Sequence, residues 1–205
     1  KCVTKGHIRS ELYDRNLPVY VFFDLGVDDY CVLLFTQWFR GEWRILHEYF
    51  NDGYALVHYL DYVKDWEHSD NVYSLKFPHD ISVREQGSAH SSGKAKSRKS
   101  GVQDYRKENH QTWSIDVIPK GSVVEGIEAV RALLPSVYID PSCTYLMKCL
   151  NKYTKEWDDK LKVWKKTPVH DEWSHGADCM RQIANAKGFK LTKSLRNDVP
   201  DGGDV

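Results

Sequence analysis

The run Val19-Tyr20-Val21-Phe22-Phe23 constrains this chain more than any other feature, because every side chain in it is β-branched or aromatic. It is too short for an amphipathic helix and has no polar face, so it fits a strand buried on both sides of a sheet. Pro18 precedes it and Asp24 follows it. A carboxylate therefore closes a wholly apolar strand, where desolvation is costly unless a cation or a donor compensates. Gly26 lets the chain turn sharply just beyond.

The remaining pattern builds an α/β domain around that strand. Cys31–Phe39 is a second apolar run, Arg40-Gly41-Glu42 a turn and Trp43–Phe50 a third strand. The third strand's inward set is either Trp43, Ile45, His47 and Tyr49 or the opposite set with Leu46 and Phe50. Short connections make these three an antiparallel meander. After Gly53, Leu56, Tyr59, Leu60, Val63 and Trp66 recur on one helix face. Val72–Phe77, stopped by Pro78, and Trp113–Ile118 are a fourth and a fifth strand. Ser122 and Glu125 form a capping box before a helix carrying Ile127, Val130, Leu133 and Leu134. Asp140-Pro141 predicts another helix start, with Leu146, Leu150, Tyr153 and Trp157 on its apolar face. A last helix spans about 171–186, with Gly188 as its stop. The order is β-β-β-α-β-loop-β-α-α-α, which predicts a mixed five-stranded sheet flanked by helices. Residues 1–17 read as an arm or linker, 18–190 as the domain and 191–205 as a polar tail.

Composition excludes several classes. With 29 basic and 29 acidic residues among 205, the chain is not a uniformly basic nucleic-acid binder. Five cysteines, of which Cys143 and Cys149 are six apart, match no zinc spacing and predict reduced thiols in an intracellular protein. No apolar run approaches the roughly 18–20 residues of a membrane span, and no signal-peptide pattern opens the chain. Charge is nevertheless uneven. Between Ser88 and Lys107 six basic residues, among them Lys94, Lys96, Arg98 and Lys99, face the single acid Asp104. Such a segment is either a solvated loop or a phosphate-contacting one. Gly87 to Lys94 is not a P-loop, because the glycine spacing is wrong and Ala95 replaces the required hydroxyl. His170 and His175 are five apart, one too many for a zincin.

Three carboxylates carry the chemical argument. Asp24 and Asp80 each follow an apolar strand, and open α/β sheets place their sites at such ends. Asp178 lies on the last helix, where steps of four and three put Asp171, His175 and Asp178 on one face. Oxygen ligands of this kind suit Mg²⁺ or Mn²⁺. Two ions about 3.5–4 Å apart would clamp an in-line displacement at phosphorus.

The stretches FFDLGVDDYCVLLFTQW, SLKFPHDISVREQG and PVHDEWSHGADCMRQIA, with VVEGIEAVRALLPSVYID between the last two, resemble the C-terminal nuclease domain of tailed-phage terminase large subunits. The resemblance runs from about Val19 to Ala186. It implies an RNase H-like fold with a central five-stranded sheet. It also implies cleavage of concatemeric double-stranded viral DNA during packaging, with little sequence preference. On the matching positions the acids that bind divalent cations would be Asp24, Asp80 and Asp178. His175 would assist catalysis, and Asp28 matches a further acid after the first strand. Lys94, Lys96, Arg98 and Lys99 would hold the DNA backbone. The resemblance further implies an ATPase motor N-terminal to this domain, with residues 1–17 as the end of the linker. Portal and small terminase subunit would be partners, in the host cytoplasm at the procapsid portal vertex. Cys179 departs from the more usual Ala. The alternatives are another RNase H-like nuclease such as a junction resolvase or transposase-like cutter, a DNA-binding or motor-docking module inactive alone, and a small-molecule α/β enzyme.

Overall fold

The structure, a computed structural model, describes residues 5–26, 30–82 and 97–186. Its centre is the strand β1 (Val19–Asp24), whose first five residues are all buried. Alternation sends Tyr20 and Phe22 into one core and Val21 and Phe23 into the other. That is why the run needs no polar face. β2 (Cys31–Phe39) pairs antiparallel with β1, and β3 (Glu42–Asn51) antiparallel with β2. β4 (Val72–Phe77) lies parallel to β1 on its other side, and β5 (Ser114–Val117) parallel to β4. The predicted mixed sheet is present, and it gains a sixth strand. The short β6 (Val137–Ile139) runs parallel to β3 and gives the order β5-β4-β1-β2-β3-β6.

Helices cover both faces. On one side α1 (Leu56–Asp65) and α2 (Arg98–Glu108) pack through Tyr59, Leu60, Val63, Val102 and Tyr105. On the other lie α3 (Val123–Leu133), α4 (Thr144–Lys152) and α5 (Ser174–Asn185), with Val130, Leu146, Leu150, Met180 and Ile183 in the core. The cap at Ser122 is present, its Oγ accepting from Glu125 N–H at 3.5 Å. The four described cysteines are free and buried.

Local pattern and structure part company at four places. Neither inward set proposed for β3 holds along its length. The pairing jumps from Phe35↔His47 to Thr36↔Ile45, leaving Leu46 as an extra residue. This bulge reverses the faces, so Trp43 and Ile45 enter one core while Leu46, His47 and Tyr49 turn to the other. Second, the polar stretch read as a loop ends in α2, capped by Ser97, whose Oγ accepts from Ser100 N–H at 3.2 Å. Val102 and Tyr105, three apart, anchor it. Third, α4 begins at Thr144 rather than at Pro141 and ends before Trp157. Asp140 instead closes a turn, accepting from Ser142 N–H at 2.9 Å. Trp157 lies on β7 (Lys155–Asp158), which pairs with β8 (Val163–Pro168) in a separate hairpin. Fourth, residues 8–17 of the stretch read as an arm or linker lie against the sheet. Ile8 bridges Ile139, Arg9 N–H donates to Ile139 O at 3.1 Å, and Leu12 and Leu17 are buried. No helix among the described residues is long and apolar enough to cross a membrane.

Candidate functional site

The site lies where β1 ends, beneath α5. Asp24, the last residue of β1, is partly buried. Helix α5 packs on β1 and against α4. A Cβ on Gly176 would lie 2.8 Å from Cys149 Sγ, so α5 and α4 meet at a spacing only glycine allows. The neighbour that the small Gly176 admits is therefore α4. Cys179, fully buried, donates its S–H to Phe22 O at 3.4 Å and seats the helix on β1.

This seating brings His175 and Asp178 to Asp24. His175 Nδ1 is 3.4 Å from Asp24 Oδ2, and both side chains are well shielded from solvent. Burial pushes the Asp24 carboxyl above its ordinary range. The His175 hydrogen bond opposes that shift, and the nearby charge of Asp178 adds to it. Two carboxylates thus share a poorly solvated corner, which a cation would stabilise. Asp178 is held through one oxygen. Arg181 donates to its Oδ1 from Nε at 3.0 Å and from Nη2 at 2.7 Å, and Tyr153 O–H donates to it at 3.5 Å. Burial and the Asp178 charge push the Tyr153 hydroxyl up to about 12, so it stays a donor. Arg181 is not singled out from the sequence, and Tyr153 reads there only as part of an apolar helix face. The three-residue step from Asp178 to Arg181 is a legible ion-pair spacing, whereas the Tyr153 contact is tertiary.

Asp80 sits in the short 3₁₀ turn His79–Ser82 just past β4, closed by Ile81 N–H donating to Pro78 O at 3.2 Å. Because β4 is parallel to β1 and its immediate neighbour, the two strand ends carry Asp24 and Asp80 to the same edge of the sheet. Asp80 Oδ1 is buried and has no hydrogen-bond partner among the described residues. Such an orphaned acceptor is costly unless something positive meets it. Among the described residues no three His, Cys, Asp or Glu side chains converge closely enough to ligate a single ion. Asp24 and Asp178 meet at the corner, and Asp80 stands past the end of the neighbouring strand.

Of the other expected residues, Asp171 does not share a helix face with His175. It precedes α5, where its carboxylate accepts from Trp173 N–H at 2.9 Å and its carbonyl from Ser174 N–H at 3.0 Å. An aspartate's competition for local backbone donors sets the helix start later than periodicity alone suggests. Arg98 and Lys99 form the first turn of α2, and the Arg98 charge reaches buried Cys31 beside Asp24. Asp28, Lys94 and Lys96 lie outside the described residues. Beside this corner, on β4 and β5, buried Lys76 pairs with Asp116 at 2.6 Å.

No protein-family model matches this sequence, and no curated protein does. Solved structures do match its fold. The large terminase of a thermophilic bacteriophage aligns at a TM-score of 0.63 and 18% identity, covering 91% of this chain and 43% of that one. This chain therefore spans under half the length of that protein. The nuclease domain of the g2p large terminase of bacteriophage SPP1, with bound Mn, aligns at 0.56 and 14% identity over 87% of this chain and 92% of that domain. The P22 large terminase nuclease domain aligns at 0.56 and 15% identity over 88% and 87%. The resemblance read from the motifs is matched by the fold, an RNase H-like mixed sheet with helices on both faces.

Proposed function

We propose that this chain is a divalent-cation-dependent DNA endonuclease domain that cuts concatemeric viral DNA during genome packaging. The observation that carries the reading is the corner itself. Asp24 is paired to His175 at 3.4 Å, burial and then the charge of Asp178 on α5 raise the Asp24 pKa, and the neighbouring strand end carries the orphaned oxygen of Asp80. The residues fit hard cations, since the donor set is carboxylate oxygen and Asp80 Oδ1 is buried without a donor among the described residues. Asp24, Asp80 and Asp178 would hold Mg²⁺ or Mn²⁺, two ions on the two-metal reading, and the SPP1 domain of like fold was solved with bound Mn. The chemistry they would supply is charge neutralisation at the phosphoryl oxygens and at the leaving oxygen.

The chain's own side chains do the rest. Arg181 and Tyr153 hold Asp178 by one oxygen, which leaves Oδ2 for another contact. Asp24 orients the His175 ring through Nδ1, so that His175 can take or give a proton as water attacks phosphorus. Arg98 and Lys99, together with Lys94 and Lys96, contact backbone phosphates without reading bases, which gives little sequence preference and a strong salt dependence. An ATPase domain in the same polypeptide, the portal and the small terminase subunit are the proposed partners, at the portal vertex in the host cytoplasm.

The test is plasmid cleavage in Mg²⁺, in Mn²⁺ and in EDTA, with Asp80→Ala alongside. Cutting that needs the cation and is lost at least a hundredfold in the variant supports the reading. Full activity in Asp80→Ala or in EDTA overturns it.

A further inference from the structure

The hairpin of β7 and β8 is the described region that the fold explains least. Periodicity expects Trp157 in a helix face against the core, yet Trp157 is 41% exposed and Trp164 59%. The two are cross-strand partners, their rings 5.0 Å apart at 67°. Near the turn Leu161 is 72% exposed, and Val163 is 50%. A two-stranded ribbon with no third strand is marginal in water, and a clustered apolar surface of this kind marks a contact.

Charge says what the contact is with. Residues 155–166 hold five lysines against three acids. Lys162 faces Asp159 at 3.7 Å and Lys165 faces Glu156 at 2.5 Å. Lys155 and Lys160 have no acidic partner among the described residues. The pairing is irregular between Lys155 and Trp157, but both are exposed while Glu156 and Asp158 are half-buried, which places Lys155 on the Trp157 side. Lysine is depleted in protein–protein contacts and is the usual partner of a phosphate backbone. Place agrees with charge. Val169 N–H donates to Thr154 O at 3.0 Å to close the ribbon's base, and the preceding Tyr153 contacts Asp178. Strands of four to six residues reach about 14–20 Å from there, well within one turn of a duplex, about 34 Å.

We propose that the face of the β7–β8 ribbon carrying Trp157 and Trp164 docks in a groove of the same DNA duplex whose phosphodiester is cut at Asp24, His175 and Asp178. A two-stranded ribbon fits the major groove, about 12 Å wide. The indole faces pack on sugar and base edges, and Lys155 and Lys160 meet the flanking phosphates. The contact holds the duplex without reading it. The inference rests on the endonuclease reading and adds to it a holding surface outside the cutting residues.

The experiment measures binding of the whole chain to a fluorescent 30-base-pair duplex in EDTA, by anisotropy and by quenching of tryptophan emission. The double variant Trp157→Ala/Trp164→Ala should bind about tenfold more weakly with an unchanged salt slope, and Trp157→Phe/Trp164→Phe should recover most of the loss. Lys155→Ala/Lys160→Ala should lower the slope of log K against log salt by about two. Wild-type binding and cutting with the Trp→Ala pair binding equally well overturns the ribbon inference and leaves the nuclease reading intact. A wild type that neither binds nor cuts duplex overturns both. A Trp→Ala pair that binds DNA normally but loses self-association assigns the face to a second copy of the chain and overturns the inference as well.

Discussion

Asp80 lowers stability where it sits, and that cost is informative about its use. A buried carboxylate oxygen with no donor among the described residues destabilises the free protein. Removing its charge should therefore cost nothing in the absence of cations. Asp80→Asn is expected to keep or slightly raise the Tm in EDTA, while losing the upward shift that Mn²⁺ gives the wild type. A ligand at a hundred times its Kd stabilises by about 2.7 kcal/mol, so that shift is readily measured. A wild type whose Tm ignores Mn²⁺ and Mg²⁺ would count against the site. Gly176 is the residue that lets α5 pack closely on α4. Gly176→Ala puts a methyl 2.8 Å from Cys149 Sγ and is expected to cost about 1–3 kcal/mol in urea unfolding. Adding Cys149→Ala should return only part of it, because the Sγ clash goes but the Cβ stays 3.0 Å away. Cleavage should fall with Gly176→Ala alone, since His175 and Asp178 ride on the same turn.

At the level of the elements, α4 is started by a neighbour. Glu48 of β3 accepts from Tyr145 N–H at 2.8 Å and from Leu146 N–H at 2.7 Å, capping the helix across 97 residues of chain. Replacing Glu48 by Ala leaves both amides unmet and is expected to cost about 1–2 kcal/mol. Chemical denaturation of the variant checks this. On the other face His47 packs among Phe35, Tyr62 and Trp66, and burial holds its pKa below the ordinary 6.5. The unfolded chain then takes up the proton first, so stability from this group is present at neutral pH and is lost as pH falls below about 6.5. Tm measured from pH 7.5 to 5.5 should decline less steeply in His47→Gln than in the wild type. The bulge at Leu46 governs both observations. It turns His47 toward α1 and the following Glu48 toward α4, and alternation along the strand gives no sign of it.

Across the molecule, the central strand and its carboxylate were legible from the first few residues, because only a two-faced core accepts five such side chains in a row. The candidate acids followed from their places at strand ends and on a late amphipathic helix. The five principal strands and α1, α3 and α5 follow from apolar period and turn residues, which are local signals. What stayed hidden was decided at a distance. The start of α4 depends on Glu48, the attachment of residues 8–17 on the edge of β6, and the setting of Asp178 partly on Tyr153 just past α4. Trp157 is the clearest instance. Its spacing from Leu146, Leu150 and Tyr153 obeys a helix, but α4 ends at Lys152 and the chain turns into a ribbon, leaving the ring in solvent. Residue order alone dictates which side chains must be buried in strands and which carboxylates stand at their ends, since burial and desolvation act on each residue where it stands. Which of those carboxylates meet, what caps each helix and which aromatic rings face water are settled by long-range packing. Those outcomes depend on partners far along the chain, and no local pattern records the distance between them.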